Sequence, residues 1–387
     1  MFRSPCNWAT TGAWRHPIRS RRRWSCRWVR RTSQLSTSAR STDGRSAFGR
    51  ILICRTDNIG DVVLTLPLAG YLKQRFPQAQ IDLLCRAYVA PAMRHSRHLD
   101  RVITLEASDD LARLFAEGDY DTVIFAFPDR RLARAAQAAR VPNRVGTSHR
   151  VYHWFTCNRL ARFSRAKSDL HEAQLNFLLL RPLGIDHVPT LAEIPQLYGL
   201  DAPRRAAVDA LLAPGRRHII LHPKSNGSAR EWPLAHFTAL ARELGSDPGS
   251  NPAMRLFVTG SAAEGVLLAA QAPALLALPN VDNLCGRLDL DELLALIGAC
   301  DGLVACSTGP MHLSAALGRP TLGLFPPIKP MDPGRWAPLG ALAEVAVARQ
   351  QCAGCKDSAT CSCMEAITPQ DVAARVRAWG GTRRGVA

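Results

Sequence analysis

From residue 50 onward, short apolar runs alternate with amphipathic stretches. Ile51 to Cys54, Ile81 to Cys85, Val102 to Leu105 and Thr122 to Phe127 read as strands, and the stretch leading to Arg75 and Leu111 to Glu117 as helices. Continuous apolar runs with helices between them are what a parallel sheet covered on both faces requires. Pro67 interrupts the first helical pattern and predicts a kink or a restart, because proline lacks an N–H and crowds the preceding turn. The helix after it, Leu68 to Arg75, ends before Pro77.

Residues 182–215 are rich in Pro and Gly, carry one short predicted helix (Pro203 to Leu212) and read as an interdomain connection. Alternation then restarts with strands Ile219 to His222, Arg255 to Thr259, Leu303 to Cys306 and Thr321 to Phe325. Helices are expected over Pro233 to Leu244, from Ala262, and over Leu290 to Ala299 and Pro310 to Leu317. Pro233 and Pro310 occupy first-turn positions, while Gly245 and Gly318 follow last turns. The pattern predicts an α/β chain of two Rossmann-like, doubly wound domains, 49–195 and 196–387, behind an extension over 1–48.

With 387 residues and 47% apolar content, two ordinary cores are affordable. The net charge of +17 is unevenly placed: residues 1–50 hold twelve Arg and one acid, which leaves +6 for the rest. Residues 1–48 also hold four of the eight Trp without a sustained period, and read as a disordered basic extension. A nucleic-acid or membrane arm, a transit peptide and translation from an upstream start codon are the alternatives. A mildly basic body fits a phosphate-bearing ligand or an anionic membrane surface without requiring nucleic acid. No apolar stretch approaches the ~20 residues of a membrane span and no secretory pattern is present, so a cytoplasmic protein is expected.

Candidate chemistry concentrates at two strand-to-helix turns about 250 residues apart: Arg55-Thr56-Asp57-Asn58-Ile59-Gly60-Asp61 and Cys306-Ser307-Thr308-Gly309-Pro310-Met311-His312. A helix that starts just after a strand points free N–H groups and a positive dipole end out of the sheet, which suits phosphate or carboxylate. Asp61 is a candidate general base, with Asp57 as its competitor. The helix dipole is expected to depress the Asp61 pKa and keep the carboxylate ionised. Between a strand and a helix, the polar segment His222 through Trp232-Pro233 offers Lys224, Ser225 and Arg230 as donors for a departing diphosphate.

Taken together, Gly60 through Pro67, His222 through Pro233 and Ser307 through Pro320 resemble glycosyltransferase family 9, the ADP-heptose:lipopolysaccharide heptosyltransferases. Their order and spacing agree over residues 50 to about 375. The resemblance implies a GT-B fold with two domains facing a central cleft, and an inverting, metal-independent transfer of a sugar. The donor it implies is an ADP-sugar, most simply ADP-heptose, and the acceptor a lipid-linked glycan of the lipopolysaccharide core. It further implies peripheral contact with the cytoplasmic face of the inner membrane and no nucleic-acid partner.

By the same resemblance Asp61 is the base, with Asp57, Asn58 and Gly60 on the acceptor side. Arg230, standing where the family usually has Lys, is the second catalytic residue; Lys224, Ser225, Ser307, Thr308, Gly309 and His312 hold the nucleotide sugar. Gly260 and Glu264 are assigned to the ribose and Leu284 to Leu288 to the adenine. Ser307 departs from the Asp common in the family, a residue implicated in holding heptose, so another nucleotide sugar is the alternative donor.

Of the twelve Cys, four cluster as Cys352, Cys355, Cys361 and Cys363, a candidate structural zinc set against reduced thiols or a labile disulfide. A nicotinamide-dependent oxidoreductase would need Gly-x-Gly-x-x-Gly after the first strand, where this chain has one Gly. A nucleic-acid-binding protein would need the basic character to continue on a face of the folded body. A non-catalytic relative is opposed by the retention of Asp61 and His312.

Overall fold

The most apolar runs of the sequence become the centres of two sheets in the computed structural model, which describes residues 48–106, 110–246, 254–348, 352 and 361–380. The first sheet comprises Arg50–Cys54 (β1), Gln80–Arg86 (β2), Arg101–Leu105 (β3), Thr122–Phe125 (β4), Asn143–Thr147 (β5) and Arg159–Ala161 (β6). The second comprises His218–His222 (β7), Arg255–Val258 (β8), Val281–Asn283 (β9), Gly302–Cys306 (β10), Thr321–Phe325 (β11) and Ala343–Val347 (β12).

Strand order is β3-β2-β1-β4-β5-β6 in one sheet and β12-β11-β10-β7-β8-β9 in the other. Renumbered within its own half, the second order is the same as the first. The central pairs β1–β2, β1–β4, β7–β8 and β7–β10 are all parallel. In each half the winding reverses beside the first strand, between β1 and β4 and between β7 and β10. Ligands bind outside the carboxyl ends of the strands at such reversals.

The expected central strands are present, and β7, β10 and β11 are buried throughout. Four strands had no clear sequence signature: β5, β6, β9 and β12. All are only partly buried, so they lack a continuous apolar run. Pro67 gives a restart: the helix Ile59–Val63 ends, and Leu66–Arg75 begins with Pro67 in its first turn. The helix expected over Pro203 to Leu212 shrinks to Ala206–Asp209, where Val208 alone is buried and one anchor cannot hold more than a turn.

Phe48 is already buried, its ring 4.8 Å from that of Phe76. The remainder of the predicted extension, 1–47, lies outside the described residues. So does Cys355. Cys361 and Cys363 are buried in the apolar core of the second half with Cys352 packed against it, and among the described residues no three candidate ligands converge to hold a metal. No described helix is long and apolar enough to cross a membrane.

Candidate active site

The two turns singled out in the sequence meet. A Cβ added to Gly60 would lie 2.9 Å from His312 Cδ2, and one added to Gly309 would overlap Ile59 Cγ2. Glycine at both places lets the starts of helices Ile59–Val63 and Gly309–Ala316, one from each half, press together. Gly309→Ala should therefore force the helix ends apart, because the β-branched Ile59 has few rotamers to yield. The expected loss is about 1–3 kcal/mol of stability, as for other overpacked sites. The double variant with Ile59→Ala should recover most of it in thermal melts; no recovery would mean that this contact does not set the spacing.

Around that junction lies a cavity of about 750 Å³ at the carboxyl ends of β7 and β10. Its walls include Asn58, Gly60, Asp61, Ser225, Arg230, Glu264, Ser307, Thr308, Gly309 and His312. No side chain caps the Gly309–Ala316 helix, and Pro310 in its first turn has no N–H to satisfy. Thr308 Oγ1 and His312 Nδ1 are buried without a hydrogen-bond partner. Burial pushes the His312 pKa down to about 3, so the ring is neutral at physiological pH and offers a single N–H. Unpartnered buried polar atoms beside an uncapped helix start are suited to a diphosphate.

Arg230 reaches this wall because the residues after it are anchored. Trp232 is buried, its indole N–H donates to the Ile367 carbonyl at 2.9 Å, and its backbone N–H approaches Cys306 Sγ at 3.2 Å. Glu231 accepts from the Ser225 N–H and hydroxyl at 2.9 and 3.0 Å, folding the loop on itself.

A second cavity, of about 440 Å³, opens at the carboxyl ends of β1 and β4. Its floor is a buried charge cluster. The Arg55 guanidinium donates to Asp57 at 2.8 Å and to Asp61 at 2.6 Å, and pairs with Glu172 at 3.2 Å. Glu172 also pairs with Arg165 at 2.8 Å and with Arg335, from the second half, at 2.5 Å. His171 Nε2 donates to the Ala337 carbonyl at 3.0 Å, pinning the same segment of the second half; burial holds that ring neutral, with a pKa of about 4.

Three carboxylates and three guanidiniums thus balance, but not equally for each member. Burial would raise the Glu172 pKa, yet the Arg165, Arg55 and Arg335 charges outweigh it and hold it below the usual range. Asp61 goes the other way. Burial pushes it up to about 6 and Arg55 only partly opposes this, because the neighbouring Asp57 and Glu172 charges add to the rise. The expected depression by the helix dipole is therefore corrected: the helix has five residues and its field is small beside burial among like charges.

Asp61 and Trp336 line both cavities. The Asp61 carboxylate thus stands at the passage between a compartment suited to a diphosphate and a compartment walled by Arg and His side chains.

The model of glycosyltransferase family 9 (heptosyltransferase) matches residues 110–365. The chain belongs to glycosyltransferase family 9. Its relatives include lipopolysaccharide heptosyltransferase 2 of Escherichia coli strain K12, 25% identical over 304 residues that cover 73% of this chain and 84% of that one. Lipopolysaccharide heptosyltransferase 1 of Pseudomonas aeruginosa is 27% identical over 302 residues, 73% of this chain and 79% of that one. Among solved structures, the ADP-heptose LPS heptosyltransferase II of E. coli superposes with a TM-score of 0.66 at 24% identity, covering 85% of this chain and 98% of that one. The E. coli heptosyltransferase WaaC with ADP does so with 0.59 at 18% identity, covering 85% and 99%. The fold is GT-B, and the protein is a glycosyltransferase.

Within this family 9 enzyme, most of the sequence-predicted site residues share the larger cavity. Asp57 lies instead in the smaller one. Lys224 lines neither: its ammonium is paired with Glu231, so it braces the loop. Gly260 packs behind the wall, where an added Cβ would meet Cys285 Sγ at 3.2 Å, and none of residues 284–288 reaches the cavity, whereas Leu290 does. Glu264 lines it, with Oε2 accepting from Ser261 in a capping box. Sequence reasoning missed Arg55, Arg165, Glu172 and Arg335. Arg55 carried a usable signal, since it opens the quoted turn two residues before Asp57 and six before Asp61.

Proposed function

We propose that the enzyme transfers heptose, with inversion, from ADP-heptose to a lipid-linked acceptor of the lipopolysaccharide core. The observation that carries this reading is the single Asp61 carboxylate on the walls of both cavities. The donor occupies the larger cavity with its diphosphate against the start of the Gly309–Ala316 helix, held by Thr308, His312 and Arg230, while Ser225, whose N–H and hydroxyl both donate to Glu231, shapes the loop that carries Arg230. Glu264 faces the ribose and Ser307 the sugar. The acceptor occupies the smaller cavity, beside Asp57.

Asp61 takes the proton of the acceptor hydroxyl as that oxygen attacks the anomeric carbon. The bond to the diphosphate breaks with its electron pair leaving on the phosphate oxygen, through a transition state of oxocarbenium character. Arg230 and the helix N–H groups stabilise the charge that accumulates there. The transfer uses no metal, and the enzyme works in the cytoplasm, meeting its acceptor at the inner membrane. The names of the relatives, heptosyltransferases with ADP-heptose as the named donor of one, support the choice of donor.

A thermal-shift series with ADP-heptose, other ADP-sugars, UDP-sugars and GDP-sugars tests that choice. ADP-heptose at a hundred times its Kd should raise the Tm by roughly 3–5 °C. A rise with UDP- or GDP-sugars alone would exclude the ADP-linked donor while leaving the transferase intact.

A further inference from the structure

The positive charge of the folded body is concentrated in one place. Residues 130–168 contain nine Arg and one Lys and no Asp or Glu, so the remainder of residues 51–387 is net acidic. Arg130, Arg131, Arg134, Arg140, Arg150, Arg159 and Arg162 in this stretch are exposed. The same stretch carries three large exposed apolar side chains within five residues: Val151 at 69%, Trp154 at 60% and Phe155 at 73%.

These side chains project from a firmly held turn. His153, between them, is buried, stacks on Phe125 and accepts from the Thr147 N–H at 3.1 Å. The Trp154 indole N–H donates to the Ser148 carbonyl at 2.8 Å, which satisfies its polar end and leaves the ring outward. Gln137, on the Arg-rich helix Arg130–Ala138, donates to the Phe155 carbonyl at 2.6 Å, and Arg144 donates to the Thr156 carbonyl at 2.8 Å. The basic helix and the apolar turn therefore form one surface. That surface borders the smaller cavity, because Thr147, His149 and Arg150 on one side of the turn and Phe163, Ser164 and Arg165 on the other line its walls.

We infer that Val151, Trp154 and Phe155, framed by these arginines, form a docking face for an anionic bilayer that brings the mouth of the smaller cavity to the lipid surface. Rigid aromatic and aliphatic groups amid arginines match the boundary between acyl chains and anionic headgroups, where apolar insertion and charge attraction add. An aliphatic Val at the tip has no use in stacking on bases, which favours lipid over nucleic acid. The reason for docking at this cavity rests on its assignment to a lipid-linked acceptor; the docking itself is measured separately from transfer.

The basic residues 1–50 would themselves be attracted to anionic vesicles, so binding has to be read site by site. Hydrogen exchange on the full chain, with vesicles of phosphatidylglycerol and phosphatidylcholine, should show slowed exchange over residues 130–160, weakening as salt is raised. Pure phosphatidylcholine vesicles and a single-stranded oligonucleotide should not slow it. Replacing Val151, Trp154 and Phe155 together by Ser should leave the turnover of a detergent-dispersed acceptor unchanged and lower the Tm by no more than about 2 °C, the loss of the Trp154–Ser148 hydrogen bond. It should weaken vesicle partition by about tenfold or more and abolish the local protection.

Protection confined to residues 1–47, equal protection by the oligonucleotide, or protection that grows with protein concentration without vesicles would each overturn the docking face. Protection with no transfer of heptose would instead overturn the donor and acceptor assignment and leave the docking face standing.

Discussion

Asp61→Asn is expected to lower turnover by about a thousandfold, the scale on which a positioned general base contributes, while ADP affinity stays close to that of the parent enzyme. The amide keeps the shape of the side chain and a hydrogen-bond acceptor for Arg55, so the diphosphate end of the larger cavity is undisturbed. It cannot take a proton. Asp57→Asn should cost much less, because Asp57 lines only the smaller cavity and spends its carboxylate on Arg55.

The pH profile adds a second readout. With an Asp61 pKa of about 6, kcat/KM should rise with pH to that point and level off above it, and the residual activity of Asp61→Asn should lack this limb. The stability linkage has the opposite sense. A carboxyl whose folded pKa is raised contributes favourably below its unfolded value near 4, and that contribution is lost as pH rises through about 6. Asp61→Asn should thus be at least as stable as the parent at pH 7.5. A variant that turns over normally, or keeps the limb at pH 6, would remove Asp61 from the base role.

Local signals account for what the sequence revealed. Strands such as β7 and β10 are buried on both faces and so are apolar without interruption, and each switch-point turn advertises itself by Gly beside acids or hydroxyls. Gly60 and Gly309 were visible as turn residues, but not as the contact that presses the two halves together. A lysine in a polar loop such as Lys224 reads as a ligand donor from sequence, and its pairing with Glu231, seven residues on, became visible only in the fold. The arginine-rich stretch over 130–168 was written plainly in the sequence, and averaging charge over the whole body hid it. Arg165, Glu172 and Arg335 left no trace, since they are ordinary charged residues in separate segments and only folding makes them one cluster.

That cluster sets up the second large effect: Glu172→Gln should destabilise the enzyme by roughly 3–5 kcal/mol, about 4–7 °C in Tm, because the change leaves Arg55, Arg165 and Arg335 facing one another with their shared buried counter-charge gone. Arg335 belongs to the second half, so the loss should also loosen the segment that His171 pins through Ala337. The Glu172 pKa is depressed, so its stabilisation is complete above the unfolded value near 4.3 and disappears as acid takes the pH down through the folded value. The Tm gap between parent and variant should therefore be wide at pH 7 and close in acid. A purely structural role would end there. Glu172, however, is one of the charges that raise the Asp61 pKa, so in Glu172→Gln the acid limb of kcat/KM should move to lower pH. A destabilised variant whose limb stays at pH 6 would confine Glu172 to the scaffold and leave burial and Asp57 to account for the poise of the base.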